Sequence, residues 1–180
     1  TIKIYSVALS LEKINRLGIK GLDFKDIMLT DSSYAGQTAV KSDSTAENLR
    51  PSIAHYIKKV LVTSDNDGHN RLYEFVGQKD FNEQLKSRGY ANTRITHRLS
   101  VPLSTEQNKH TNAISFYDRQ TNALLYEQKP AANTLDYTFK GSIPLGKGYV
   151  KGEETINKPM EFNEKNFSSL EDLHHIILSL

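Results

Sequence analysis

Two carboxylates followed closely by a lysine form the pattern in this sequence that is best suited to chemistry. Asp118 precedes Glu127 by nine residues, and Lys129 follows two residues after that. Paired carboxylates can hold a divalent cation such as Mg²⁺, and a nearby lysine can support the water molecule that the cation activates. These three residues are therefore candidates for metal-assisted hydrolysis.

The spacing of the two carboxylates argues against one shared ion. A turn at residues 119–122 would pair Asp118 with Ala123 and Glu127 with Ile114, four residues apart along one strand. At about 3.3 Å per residue the separation is roughly 13 Å, whereas Mg²⁺ lies only about 2.0–2.2 Å from its ligands. The pattern resembles the D…ExK arrangement of a metal-dependent nuclease family, which implies a phosphodiester hydrolase using Mg²⁺ as an alternative function. We instead expect no catalytic residue, no metal and no cofactor.

A second candidate site is cationic. Residues 92–103 have the sequence NTRITHRLSVPL, which predicts a strand with alternate residues on one face. Two arginines four residues apart would stand roughly 13 Å from each other, a span that suits the phosphates or carboxylates of an extended ligand. The predicted binding residues are the face itself and three residues upstream of it: Arg94, Thr96, Arg98, Lys86, Arg88 and Tyr90. The alternative is a solvated face that forms ion pairs with the acidic C-terminal region.

The stretch Asp65-Asn66-Asp67-Gly68 resembles the start of a calcium-binding loop. Val76 stands where such a loop would place its closing glutamate. Because Asp-Gly is also a common turn dipeptide, we predict a hairpin turn here, joining strands at 57–63 and 71–76. The six histidines have no spacing typical of a zinc site, and no serine lies in a G-x-S-x-G motif.

Composition narrows the class of protein. The chain has 180 residues and no cysteine, which excludes disulfides, thiolate metal sites and cysteine nucleophiles. A formal net charge of +2 is too small to indicate nucleic acid binding by itself. No apolar run approaches the roughly 18 residues that a membrane-spanning helix needs, so we expect a soluble protein without membrane insertion. We predict a single globular domain over residues 1–180, with an exposed polar loop at about 30–48.

The strongest structural signal is a hairpin at about residues 113–128, with alternating apolar residues on both sides of a polar turn. A strand at 2–9 and a helix at 11–17 precede it, a helix begins near Asp80, and a helix closes the chain after Ser168. These elements predict an α+β fold. Its core would be a largely antiparallel β-sheet organised around the central hairpin, with two or three helices.

No catalytic motif covers much of the chain, and this determines the functional prediction. We expect a non-catalytic binding or assembly module whose ligand is a protein partner or a polyanion, with nucleic acid as a possible ligand of the basic strand. The phosphodiester hydrolase based on Asp118, Glu127 and Lys129 is the catalytic alternative. The sequence does not indicate a cellular compartment.

Overall fold

The computed structural model of the chain describes residues 2–179. Most of the regular secondary structure in this range is helical. Its six α-helices are α1 (Lys3–Leu17), α2 (Ile53–Thr63), α3 (Asn66–Val76), α4 (Gln78–Ser87), α5 (Thr105–Lys109) and α6 (Leu170–Leu178). None of the helices in residues 2–179 is long and apolar enough to cross a membrane.

The strands form small antiparallel sheets. The largest has three strands in the order β1 (Ile27–Thr30), β2 (Ile114–Tyr117) and β3 (Leu124–Gln128). Two two-stranded ribbons follow, one pairing β4 (Pro144–Leu145) with β7 (Met160–Glu161) and the other β5 (Tyr149–Lys151) with β6 (Glu154–Ile156). The prediction of a largely antiparallel sheet with two or three helices is therefore wrong, because six helices supply most of the regular secondary structure in the described residues.

Helix α1 replaces the strand predicted at 2–9 and continues without a break through the helix predicted at 11–17. The β-branched residues at the start suggested a strand, but the apolar side chains follow two helical faces. Tyr5 and Leu9 pack into one core cluster, while Val7 and Ile14 pack into the other. Gly18 ends the helix at φ 62°, a left-handed conformation that glycine adopts without strain.

The prediction of a hairpin turn at Asp65-Asn66-Asp67-Gly68 is also wrong, because this stretch joins the helices α2 and α3. Asp65 is the N-cap of α3, and its side chain accepts a hydrogen bond from the Gly68 amide at 2.6 Å. The Asp-Gly dipeptide thus caps a helix and does not turn a hairpin. Asp and Asn favour both roles, so the local sequence alone could not separate them.

Helix α3 lies at the centre of the molecule. Every residue from Gly68 to Val76 is buried, including the polar His69, Asn70, Arg71 and Glu74. Leu72 and Phe75 belong to one core cluster, and Tyr73 and Val76 belong to the other. Polar and apolar residues still separate onto different faces of α3, and here the polar face is buried against other parts of the chain.

The hairpin predicted at 113–128 is present as β2 and β3. Its register differs by one residue from the prediction, since Ser115 pairs with Glu127 and Ile114 with Gln128. A bulge between Phe116 and Tyr117 causes this shift. Phe116 is fully buried and packs edge-on against Phe75 of α3, with ring centroids 5.3 Å apart.

Residues 92–103 do not form the predicted strand. Their one bridge to another segment joins Arg94 to Phe167. The loop predicted at about 30–48 is largely irregular, with one bridge between Thr30 and Val40 and a 3-10 turn at Glu47–Leu49. The helices predicted near Asp80 and at the C-terminal end are present as α4 and α6.

Replacing Phe116 with alanine should lower the free energy of unfolding by about 3–5 kcal/mol, because it empties a ring-sized space between α3 and β2. The matched control is Leu124→Ala on the adjacent strand, where the side chain is half exposed and the change should be below about 1 kcal/mol. Urea unfolding followed by circular dichroism measures both. Equal effects of the two substitutions would contradict the core assignment.

Candidate functional site

The junction between α2 and α3 is the most unusual piece of backbone near the core. Ser64 ends α2 with φ 53° and ψ 38°, a left-handed conformation that a serine rarely adopts. Such residues carry strain of about 1–3 kcal/mol and cluster at functional sites. Gly68 lets the first turn of α3 approach α2, since a Cβ there would lie 3.2 Å from the Tyr56 carbonyl oxygen.

Lys3 reaches this junction from the first turn of α1. Its side chain is buried against α2 and α3, and the residue is only 9% exposed. The Nζ atom donates a hydrogen bond to the Ser64 carbonyl oxygen and a second to Ser64 Oγ at 3.1 Å. A lysine is rarely buried without a compensating partner, so this position indicates a specific role.

Asn66 and Asn70, on one face of α3, hold the segment around Leu99 and Ser100. The Asn66 Nδ2 atom donates to Ser100 Oγ at 2.7 Å. Asn70 binds both backbone groups of Leu99, accepting from its amide at 2.7 Å and donating to its carbonyl at 2.9 Å. Ser100 also has a left-handed backbone, with φ 56°.

Lys3, Ser64, Asn66 and Ser100 together form what we call the lysine–serine cluster. Ser100 also lines a cavity of about 460 Å³. The other residues lining it come mostly from segment 96–105, with Glu164 and Lys165 closing one side. Ser100 is the member of the cluster that lines this cavity, and its hydroxyl accepts the hydrogen bond from Asn66.

Residues 94–100, which we call the clamped segment, are held by side chains because they have almost no backbone pairing. An ion pair is the most buried of these contacts. Arg98 Nε donates to Glu74 Oε1 at 2.7 Å, and Arg71 Nη1 lies 2.9 Å from Glu74 Oε2. These three residues are each no more than 3% exposed.

Amide side chains satisfy the rest of the clamped segment. Asn82 binds both backbone groups of Ile95, at 2.9 Å and 2.8 Å, as Asn70 does for Leu99. Asn166, far along the chain, accepts from the amide of Thr96 at 2.7 Å and donates to the carbonyl of His97 at 2.9 Å. The segment is therefore fixed from both sides, by α3 and α4 on one and by the C-terminal region on the other.

A buried histidine lies behind the lysine–serine cluster. His69 is fully buried in α3, and its Nδ1 lies 3.0 Å from the Ser6 hydroxyl. Burial, followed by the nearby charges of Lys3 and His97, lowers the pKa of His69 to about 3. His69 is consequently neutral at physiological pH.

Comparison with known proteins decides the family. A model of the beta-lactamase enzyme family matches residues 1–127. The chain belongs to the beta-lactamase enzyme family. The match contains the whole lysine–serine cluster and the clamped segment. Neither a curated protein nor a solved structure matches the chain.

Membership of the beta-lactamase enzyme family corrects the functional prediction. We expected a non-catalytic binding or assembly module acting through protein–protein interaction, and this is wrong because the family is one of enzymes. The alternative prediction, a metal-dependent phosphodiester hydrolase, is not supported by this family either. Its carboxylate Asp118 accepts hydrogen bonds from the turn amides of Gln120 and Thr121, at 2.8 Å and 2.7 Å. Across the described residues no group of three potential ligands could hold a metal ion.

The two remaining residues of the nuclease pattern lie apart from the cluster. Glu127 faces Ser115 across the hairpin, and Lys129 lines a second cavity, of about 400 Å³, near the start of α4. Neither residue contacts Asp118 in the described hydrogen bonds or ion pairs. The structure thus provides no place where Asp118, Glu127 and Lys129 would act together.

The six predicted binding residues do not share one exposed face. Three are buried: Arg98 in the ion pair with Glu74, Thr96 against the C-terminal region, and Tyr90 against Tyr5. Arg94 donates to the carbonyl oxygens of Phe162 and Lys165. The remaining two, Lys86 and Arg88, are exposed at the end of α4, where Arg88 pairs with Glu12. The alternation that predicted a strand face is wrong here because the segment is irregular.

Sequence reasoning missed every member of the lysine–serine cluster. The signal that could have found it is the triplet Ser64-Asp65-Asn66, which is one of the motifs of serine β-lactamases. The Asp-Gly dipeptide that follows the triplet drew attention to a turn. Lys3 carried no visible signal, since its role depends on a partner 61 residues away.

Replacing Glu74 with glutamine should lower the free energy of unfolding by about 3–5 kcal/mol, because the buried Arg98 would lose its counter-charge and Arg71 would keep only the more exposed Asp67. Glu12→Gln is the matched control. It breaks the more exposed pair with Arg88 and should change stability by less than about 1 kcal/mol. Chemical denaturation of both variants measures the difference. A loss below about 1 kcal/mol in Glu74→Gln would show that the clamped segment does not depend on this ion pair.

The depressed pKa of His69 predicts a pH dependence of stability. Between about pH 6.5 and pH 3 the unfolded chain takes up a proton on this histidine and the folded chain does not, so stability falls as the pH falls. The slope is at most about 1.4 kcal/mol per pH unit. We expect His69→Asn to be less steep than the parent protein in this window, whereas His174→Asn, on an exposed position of α6, should follow the parent. Identical slopes in all three proteins would refute the burial effect.

Proposed function

We propose that the protein is a serine acyl-transfer enzyme that opens β-lactam or related amide bonds through a covalent acyl-enzyme. The contact between Lys3 and Ser64 is the observation that carries this proposal. Serine enzymes of this kind combine an S-x-x-K motif with an S-D-N motif. Ser64-Asp65-Asn66 supplies the second motif, and Lys3, whose amine contacts Ser64, is our candidate for the lysine of the first.

We infer the position of the nucleophile from the motif spacing. In S-x-x-K the reactive serine precedes its lysine by three residues, and for Lys3 this is the position immediately before Thr1. The natural sequence upstream of Thr1 tests this assignment directly, because any residue other than serine contradicts it.

The chemistry follows from these positions. The serine oxygen adds to the carbonyl carbon of the amide while its proton passes to a basic group, for which Lys3 in its neutral form is placed. The C–N bond of the resulting tetrahedral intermediate then breaks, and the leaving nitrogen must gain a proton. Ser64 Oγ, 3.1 Å from Lys3 Nζ, can give its proton to that nitrogen and regain one from the lysine. Atoms and charge balance without a metal ion.

Asn66 and Ser100 are suited to binding the substrate. The Asn66 Nδ2 atom points to Ser100 Oγ at 2.7 Å, at the boundary of the 460 Å³ cavity. An amide donor at that place can bind a substrate carbonyl once it releases the serine. The apolar residues Leu99, Val101 and Pro102 line the same cavity and would contact the uncharged part of the substrate.

The S-x-x-K and S-D-N motifs are normally accompanied by a third, K-T-G. That triplet does not occur among the 180 residues. The proposal therefore rests on the lysine and the S-D-N triplet.

Incubating the full-length protein with a fluorescent penicillin should label it covalently. Lys3→Met and Ser64→Ala should slow labelling by roughly 10²–10⁴-fold, because each removes a proton-transfer group. Lys20→Met and Ser42→Ala change the same residue types at exposed positions and should label at the parent rate. Intact-mass spectrometry gives the mass of the adduct, and thermal melting shows whether each variant is folded. A parent protein that forms no adduct with penicillins or cephalosporins contradicts the proposal.

A further inference from the structure

The polar pair formed by Ser6 and His69 lies directly behind Lys3. Both residues are fully buried. The Ser6 hydroxyl donates to the Lys3 carbonyl oxygen at 2.7 Å, within the first turn of α1, and it contacts His69 Nδ1 at 3.0 Å. A serine hydroxyl has a single hydrogen to donate.

These two contacts determine the tautomer of the histidine. The Lys3 carbonyl oxygen can only accept, so the hydrogen of Ser6 is used there. Towards His69 the Ser6 oxygen must then accept, and Nδ1 must carry the ring hydrogen. In a neutral imidazole the other nitrogen, Nε2, is left without a hydrogen. Nε2 is buried and has no hydrogen-bond partner among the described residues.

Burial and nearby positive charges keep the imidazole of His69 neutral. Lys3 and His97 are the titratable groups whose charges oppose protonation of His69, in addition to burial. His97 is itself an uncharged neighbour, since its Nε2 accepts from the Asn166 amide at 3.2 Å and burial lowers its pKa. When Lys3 is protonated, a second positive charge on His69 beside it is disfavoured.

We propose that His69 is a positioning residue for Lys3, acting through Ser6 with its Nδ1 hydrogen. The chain of contacts runs from α3 to α1, from His69 through Ser6 to the backbone of Lys3. It fixes the turn from which the lysine side chain extends to Ser64. This inference rests on the proposed function, because it assigns His69 a role in holding the amine that the reaction uses.

The position of the Nδ1 donor of His69 determines which substitutions keep the hydrogen bond to Ser6 and which remove it. The Nδ2 atom of an asparagine can occupy nearly the place of histidine Nδ1, so His69→Asn keeps the donor to Ser6. His69→Leu fills the space without a donor, and Ser6→Ala removes the bridge itself. The three variants separate loss of the hydrogen-bond chain from loss of volume.

The kinetic test measures the rate of labelling of the full-length protein by a fluorescent penicillin, at a temperature where every variant is folded. His69→Leu and Ser6→Ala should each slow labelling by about 10-fold to 100-fold, the range expected when a catalytic group is misplaced by about 1 Å. His69→Asn should remain within about threefold of the parent. The double variant Ser6→Ala, His69→Leu should be no slower than the slower single variant, because both changes break one chain. Equal losses in His69→Asn and His69→Leu, or additive losses in the double variant, overturn the proposal.

A second measurement does not depend on catalysis. Nitrogen-15 NMR of the histidine rings in the full-length protein should show His69 protonated at Nδ1 and unprotonated at Nε2 from pH 5 to pH 8. The opposite tautomer, or titration near pH 6.5, overturns the arrangement. If the parent protein forms no acyl-enzyme, the role in positioning fails together with the proposed function. If labelling occurs but the tautomer is wrong, the inference alone fails.

Discussion

The ion pair between Glu74 and Arg98 is the contact on which the described site depends most. It joins the centre of the buried helix α3 to a segment that has almost no backbone pairing of its own, residues 94–100. A buried backbone amide or carbonyl needs a hydrogen-bond partner, and a sheet would normally provide one. Here side chains provide it. Removing the carboxylate would leave Arg98 buried without a counter-charge and would release the segment from its helix.

The same helix serves both the clamped segment and the lysine–serine cluster. Asn66 and Asn70, one turn apart on α3, hold Ser100 and Leu99, and Asp65 caps the helix beside Ser64. One rigid element therefore fixes the distance between Ser64 and Ser100. Sites held by buried helices are more precise than sites on free loops, and acyl transfer is sensitive to displacements of about 1 Å.

The sequence correctly predicted those helices and strands whose signals lie within a few neighbouring residues. The hairpin at 113–128, helix α4 and helix α6 were found because alternation, caps and helical spacing lie within a few residues of each other. Helix α1 was mistaken for a strand over its first half, where Ile2, Ile4 and Val7 suggested β-structure. Its two apolar faces are explained only by two separate core clusters, which the sequence does not show.

The candidate site was missed for a related reason. Lys3 and Ser64 are 61 residues apart, and His69 contacts Ser6 over a similar separation of 63. No periodicity links such positions. Arg94 and Arg98, in contrast, were predicted to form a binding site and do not form one. They alternate with apolar residues as in a strand, but the segment that carries them is not a strand. Its conformation is set by amide side chains from elsewhere, and tertiary contacts of this kind override local preference.

The region after the family match is physically part of the same unit. The family model ends at residue 127, yet Asn166 binds backbone groups of Thr96 and His97, and Asp172 of α6 accepts from the Thr93 hydroxyl at 2.8 Å. A boundary drawn from sequence similarity would cut through these contacts. A polypeptide shortened to residue 127 would leave one side of residues 93–97 uncovered, with amides exposed to water that the whole chain keeps paired. The end of the family match is therefore not a boundary in the hydrogen-bond network of the described residues.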